Sequence, residues 1–273
     1  MIIDPTPANG TEGIAGAIIE HASNNRTSRY GARMQDKRVL VVGASSGIGR
    51  AFAQAALAAG AAVVVAARRA DALAELDGAQ PIAADVCAPE GRDAILGGCR
   101  ERWDGIDLIL WAVGRADMQY LVGTDEEAWR RTFATNVESF NLFMRDAVGL
   151  LSPSGIVAVL ASETMTLPRV GMIAYAASKA ALATSTRGWQ IEHPQLRFSV
   201  VEVGPTQPTE FGASFDMDVL VPVLDEWAKR GIQIAHAMDT TEMGGFLAGV
   251  FGAALAHPTI GVEHLVLRPP LPA

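Results

Sequence analysis

The sequence predicts an α/β fold: a doubly wound parallel sheet of about seven strands flanked by helices. Three observations predict it. Short apolar runs rich in Val, Ala and Leu suit strands covered on both faces. These runs alternate with helical stretches, the rhythm of right-handed βαβ units. A glycine-rich turn joins the first strand to the first helix. The chain has 273 residues, of which 49% are hydrophobic and 19% charged, enough for a large core.

The elements follow in order. Arg38–Val42 reads as the first strand, Gly43–Gly49 as the turn and Ile48–Ala59 as a helix ended by Gly60. Ala62–Ala67 is the second strand, followed by a helical Asp71–Leu76. Pro81–Ala84 is a third strand ending at Asp85, and Pro89–Arg102 is helical. Ile106–Val113 is the fourth strand. Thr124-Asp-Glu-Glu127 then forms a capping box before a helix over Trp129–Leu151. Ile156–Leu160, the helix Tyr175–Glu192 and Leu196–Val203 continue the alternation. The helix Gly244–Ala256 and a short strand at Leu265–Leu267 close it.

Residues 1–34 differ in composition and read as an N-terminal extension, either a packing arm or a disordered tail. Residues 35–273 form the domain, with a lid over about 206–231, where the rhythm breaks. A net charge of −8 without a Lys/Arg run argues against nucleic acid and anionic membranes. Ala51–Ala67 is interrupted by Gln54 and Gly60, and Gly244–Ala256 is too short to span roughly 30 Å of bilayer. The small residues of the latter suit packing on another helix, in this chain or a neighbouring subunit. Met1–Gly10 has no apolar leader, so a cytoplasmic chain with reduced Cys87 and Cys99 is expected. His21, His193, His236, His257 and His264 lack metal spacing, and no metal is expected.

The turn Gly43-Ala44-Ser45-Ser46-Gly47-Ile48-Gly49 lets backbone approach a pyrophosphate at a helix N-terminus, as in a Rossmann-type sheet. The second strand ends at Ala67, where NAD sites commonly carry an acid. Arg68 and Arg69 follow it. Guanidinium forks suit a 2′-phosphate, which favours NADP(H) over NAD(H). Asp85 and the Val86 backbone lie where adenine would be touched.

Tyr175 and Lys179, four apart at a helix start, share one face. A nearby ammonium is expected to lower the phenol's pKa from about 10. Ser162 follows the fifth strand, thirteen residues upstream of Tyr175. With Asn136, Gly204-Pro205 and the glycine turn, the chain resembles the short-chain dehydrogenase/reductase family in its one-domain form. The resemblance runs from Lys37 to the C-terminus. It implies that Tyr175 exchanges the proton, Lys179 binds the nicotinamide ribose and Ser162 polarises the substrate. It implies further that Asn136 holds a water leading from Lys179 to solvent. Gly114, Gly204, Pro205 and Thr206 would border the cofactor. A homodimer or homotetramer is also implied.

The chain departs from that family at Trp111-Ala112-Val113-Gly114, where Asn-Asn-Ala-Gly is usual, at Val203, and at its C-terminal end around Glu263–Pro270. Phe211, Phe215, Met217, Leu220, Val221 and Trp227, with Met165, Leu167 and Met172, suggest an apolar pocket for a carbonyl or alcohol. Arg169 leaves an acidic substrate open. A competing reading is a catalytically silent NADP(H) sensor of the same fold.

Overall fold

The computed structural model describes residues 34–213, 215–232 and 237–270. The expected extension up to residue 33 lies outside these, as do His21 and His236. Seven strands form one parallel sheet: β1 (Arg38–Val42), β2 (Ala62–Ala67), β3 (Gln80–Ala83), β4 (Ile106–Trp111), β5 (Leu151–Leu160), β6 (Arg197–Val203) and β7 (His264–Leu267). Their spatial order is β3-β2-β1-β4-β5-β6-β7. Apolar clusters cover both faces, one around Phe52, Val41, Leu108 and Phe251, the other around Trp111, Phe140, Phe143 and Ile95. The β-branched runs therefore read as continuous rather than alternating.

The helices are α1 (Gly47–Ala58), α2 (Ala70–Ala74), α3 (Pro89–Arg100), α4 (Glu126–Phe133), α5 (Ser139–Ala147), α6 (Ile173–Glu192), α7 (Met217–Lys229) and α8 (Thr240–Ala256). The single helix expected over Trp129–Leu151 is instead α4, a π-type segment (Ala134–Glu138), α5 and a 3₁₀ turn (Val148–Leu150). Its cap is Asp125, not Thr124: the Asp125 carboxylate accepts from the Ala128 amide at 2.7 Å. Thr124 instead donates its hydroxyl to Tyr120 O at 3.0 Å. β5 begins at Leu151, five residues earlier than the apolar run suggests, because Leu151 pairs with Ile106 across a register irregularity.

The fourth strand stops at Trp111, so Trp111 replaces a polar motif with aromatic packing. Its ring lies 5.5 Å from Phe140 and 5.2 Å from Phe143, centroid to centroid. The sheet stays continuous there, since Ala112 N donates to Val42 O at 2.8 Å. The Trp111 Nε1–H is buried without a partner among the described residues.

The strand order reverses between β1 and β4, so the C-terminal ends of these strands open a crevice. The small-residue helix α8 packs within the chain, against α1. A Cβ on Gly244 would stand 2.5 Å from Ala51 C and 2.7 Å from Phe52 N, both backbone atoms. Gly244→Ala should therefore destabilise by about 1–3 kcal/mol through overpacking. The adjacent Gly245 has nothing within 4 Å of its Cβ position. Gly245→Ala should stabilise by up to about 1 kcal/mol through helix propensity. Urea unfolding of the pair checks the packing; equal effects would refute it.

Candidate active site

One groove of about 1080 Å³ runs along the C-terminal ends of the strands. It gathers Gly43, Ser45, Ser46, Gly47, Ile48, Gly49, Arg68, Arg69, Asp85, Val86, Gly114, Ser162, Tyr175, Lys179, Gly204, Pro205 and Thr206. Of the residues singled out in the sequence as catalytic or cofactor-binding, only Asn136 lies off its wall.

At the nucleotide end, the turn and the helix start fit a dinucleotide phosphate. Gly43 has φ +92°, and a Cβ there would meet the Ala112 carbonyl carbon at 2.7 Å. A Cβ on Gly49 would collide with Gly43 O. The loop is thus pressed against the end of β4 by residues that admit no side chain. Ser46 is the N-cap of α1, yet its side chain makes no capping bond and no acid lies in the first turn. The free first-turn amides suit an anion.

Arg68 is exposed on the rim. Arg69 donates to Ser45 Oγ at 3.1 Å and pairs with Glu210 at 2.5 Å. Hydrogen bonding to Glu210 raises the pKa of Arg69, and the same bond holds Glu210 below its ordinary value. The sequence reading missed Glu210, which comes from the segment after β6. The Asp85 carboxylate accepts from Cys87 N at 2.9 Å.

At the other end stands α6. Lys179, 3% exposed, donates to Leu160 O at 2.9 Å and Val113 O at 3.2 Å. Burial brings its pKa from 10.5 down to about 8. A Cβ on Gly114 would approach the ammonium to 3.3 Å, a tight contact that the end of the lysine side chain would have to relieve. Lys179 Nζ lies 5.8 Å from the centre of the Tyr175 ring. The expected lowering of the phenol is not what this geometry produces. Burial dominates and pushes Tyr175 up to about 12, with hydrogen bonding toward Ser162 opposing it.

Ser162 Oγ accepts from Thr164 N at 3.2 Å and Thr164 Oγ1 at 3.0 Å. Both bonds use its lone pairs, so its single proton is left to donate. Asn136 is fully buried in the π-type segment, a local widening of the helix. Its Oδ1 accepts from Arg115 N at 2.7 Å. Its Nδ2 donates to Arg115 O and Ser178 Oγ, each at 2.8 Å. That amide braces the loop after β4 against α6.

The expected apolar pocket is one wall only. Met172, Phe211, Phe215, Leu220 and Trp227 line the groove. Met217, Val221 and Leu167 are exposed instead, and Met165 packs on Ala161, Ala183 and Val200. The other wall carries Glu163, Thr164 and Arg169. Glu163 was not singled out in the sequence; its partners Arg169 and Arg268 come from two other segments. Among the described residues, no group of three or more His, Cys, Asp or Glu side chains is placed to hold a metal, and no helix is long and apolar enough to cross a membrane.

A sequence-family profile described as short chain dehydrogenase matches residues 37–218. The galactitol 2-dehydrogenase of Agrobacterium fabrum is 31% identical over 164 residues, 57% of this chain and 64% of that protein. The sorbitol dehydrogenase of Cereibacter sphaeroides is 32% identical with the same shares, 57% and 64%. The match thus spans just under two thirds of either relative. Among solved structures, an alcohol dehydrogenase from Thermococcus sibiricus complexed with 5-hydroxy-NADP superposes with a TM-score of 0.74. It does so at 21% identity, over 86% of this chain and 97% of that one, a likeness of fold.

The buried ammonium makes stability depend on pH. Between about pH 8 and 10.5 the unfolded lysine holds a proton that the folded one has lost, so stability rises with pH in that window. Relative to Lys179→Met, the wild type should gain about 3 kcal/mol between pH 7 and pH 10.5. Urea unfolding of both proteins across that range checks it. A difference that stays flat would mean that Lys179 is not desolvated.

Proposed function

This chain belongs to the short chain dehydrogenase family, and on that premise we propose that it is an NADP(H)-dependent oxidoreductase interconverting an alcohol and a carbonyl. One observation carries the reading. A buried phenol, a buried ammonium and a serine hydroxyl hydrogen-bonded to that phenol meet at one end of a groove. The groove's other end is a glycine-pressed helix N-terminus. The names of the two relatives, dehydrogenases of galactitol and sorbitol, agree with alcohol chemistry.

The nicotinamide supplies or accepts the hydride when bound. The protein's part is the proton and the position. Pushed up by burial, Tyr175 is protonated at neutral pH and donates to the carbonyl oxygen as it gains charge. Ser162 gives its one proton in a hydrogen bond to that same oxygen. The Lys179 ammonium offsets the charge left on the phenol. Asn136 fixes the loop and the helix that carry these groups. In the reverse direction the phenol must first lose its proton, so alcohol oxidation should accelerate as pH rises above neutrality.

The nucleotide preference rests on this chain's own residues. No acid stands at the end of β2, and Arg68, Arg69 and Ser45 line the adjacent rim. Glu210 occupies Arg69 through an exposed, solvent-screened pair, which a phosphate can displace. Family membership also supports a soluble, cytoplasmic homodimer or homotetramer. Leu142 and Ile191 are exposed apolar positions on α5 and α6 for such contact.

Loss of NADPH absorbance with a panel of ketones and aldehydes tests the reaction. Tyr175→Phe should lower kcat by about 100- to 10,000-fold while retaining NADPH binding by fluorescence titration. A variant as active as wild type would remove the proton-transfer role. NADPH binding without turnover across the panel would favour a sensor. For the nucleotide, Arg68→Ala/Arg69→Ala should weaken NADPH by about tenfold or more, with NADH changed by less than about twofold. Equal losses for both would overturn the 2′-phosphate assignment.

A further inference from the structure

Ser162 is followed directly by a buried acid. Glu163 is 6% exposed and lines the same groove as Ser162 and Tyr175. Its Oε1 accepts from Arg169 Nη2. Its Oε2 is approached by Arg268 Nε at 3.5 Å, an ion-pair distance without a hydrogen bond. That oxygen lies against Gly204 on the groove wall, where a Cβ would come within 3.2 Å of it. A carboxylate offers about four acceptor sites. This one has unused capacity on the groove that Ser162 and Tyr175 also line.

The surrounding charges decide what fits. Arg169 is held by Glu163, and its guanidinium lies 5.5 Å from the Trp227 ring centre. Arg268 Nη2 donates to Glu202 Oε1 at 2.8 Å, and Thr166 Oγ1 donates to the same oxygen at 2.9 Å. His264 Nε2 stands 3.4 Å from Glu202 Oε2. Two carboxylates thus face two guanidiniums, so this cluster carries no net positive charge toward a substrate carboxylate. A purely apolar substrate would dehydrate Glu163 Oε2 and offer it no donor, which is costly for a charged acceptor. A neutral substrate bearing a second hydroxyl supplies that donor, and its carbon chain meets the Phe211, Phe215 and Trp227 wall.

We propose that Glu163 is a substrate-recognition residue. It accepts a hydrogen bond from a hydroxyl neighbouring the reacting carbon, so the preferred substrates are neutral vicinal diols and α-hydroxy ketones. The assignment rests on the oxidoreductase reading above.

The experiment compares matched pairs under both nucleotides: butan-2-ol with butane-2,3-diol, and cyclohexanol with trans-cyclohexane-1,2-diol. 3-Hydroxybutyrate serves as the acidic arm. Wild type should favour each diol in kcat/KM by about 10- to 100-fold, the range of a hydrogen bond to a charged group. It should turn over 3-hydroxybutyrate no better than the mono-alcohols. Because Glu163→Leu alone strands the Arg169 guanidinium, the double variant Glu163→Leu/Arg169→Met removes one charge of each sign. In that variant, and in Glu163→Gln to a lesser degree, the diol to mono-alcohol ratio should collapse toward one. The collapse should appear mainly as a higher KM for the diol. Turnover of both members without a diol advantage, an advantage that survives in the double variant, or a preference for the hydroxy acid overturns the Glu163 assignment alone. Absence of turnover on every compound with either nucleotide removes the oxidoreductase reading and this assignment with it.

Discussion

The reacting end of the groove depends on holding one ammonium out of water with carbonyl oxygens as its partners. Lys179 satisfies two of its donors at Leu160 O and Val113 O, at the exits of β5 and β4. These carbonyls return only part of the hydration that is lost, so the charged form is penalised. The same contacts hold α6 over both strand ends. Tyr175, one turn earlier on that helix, takes its place from the anchor. The lysine thus has a mechanical role before it has an electrostatic one.

The remaining placement follows from sheet topology. A parallel sheet sends every loop after a strand to the same edge, and the reversal of order between β1 and β4 parts those loops into a crevice. The glycine turn, the Arg68–Arg69 rim, Gly114, Ser162 and Gly204 come from five strand exits and meet there without any long-range motif in the sequence. Asn136 adds a second tie across this edge beside that of Lys179, joining the loop after β4 to α6.

Most of this was legible because strand runs and glycine turns are local signals. Each of the seven strands of the main sheet was placed from the chain alone, while the short pair Thr206–Gln207 and Met238–Asp239 was not. What escaped was set by which partners the side chains reach, near or far in sequence. The π-type segment at Asn136 has no composition of its own; it exists where the Asn136 amide reaches Arg115 and Ser178. The cap slipped one residue because both Thr124 and Asp125 are capping types, and the carboxylate reached the Ala128 amide. Glu163 carries no signal in the sequence; its pairs with Arg169 and Arg268 appear only in the fold. The expected effect of Lys179 on Tyr175 failed for a related reason. Spacing puts two groups on one face but says nothing of how dry that face is.

The two walls of the pocket discriminate by different physics. An apolar wall rejects an additional hydroxyl weakly, because the hydroxyl can often turn toward some acceptor or toward water. A buried acceptor discriminates more sharply in the opposite sense, since an analogue lacking the donor leaves the acceptor dehydrated and unpaired. Glu163 lines the groove together with Phe211, Phe215 and Trp227 from the segment after β6. The carbon skeleton is therefore recognised loosely and its oxygen pattern tightly. The sharp part of the recognition lies on elements anchored to the sheet, which also carry Ser162 and Tyr175. An oxygen bound at Glu163 consequently fixes the distance from the reacting carbon to the phenol, so that selection and alignment are one contact rather than two.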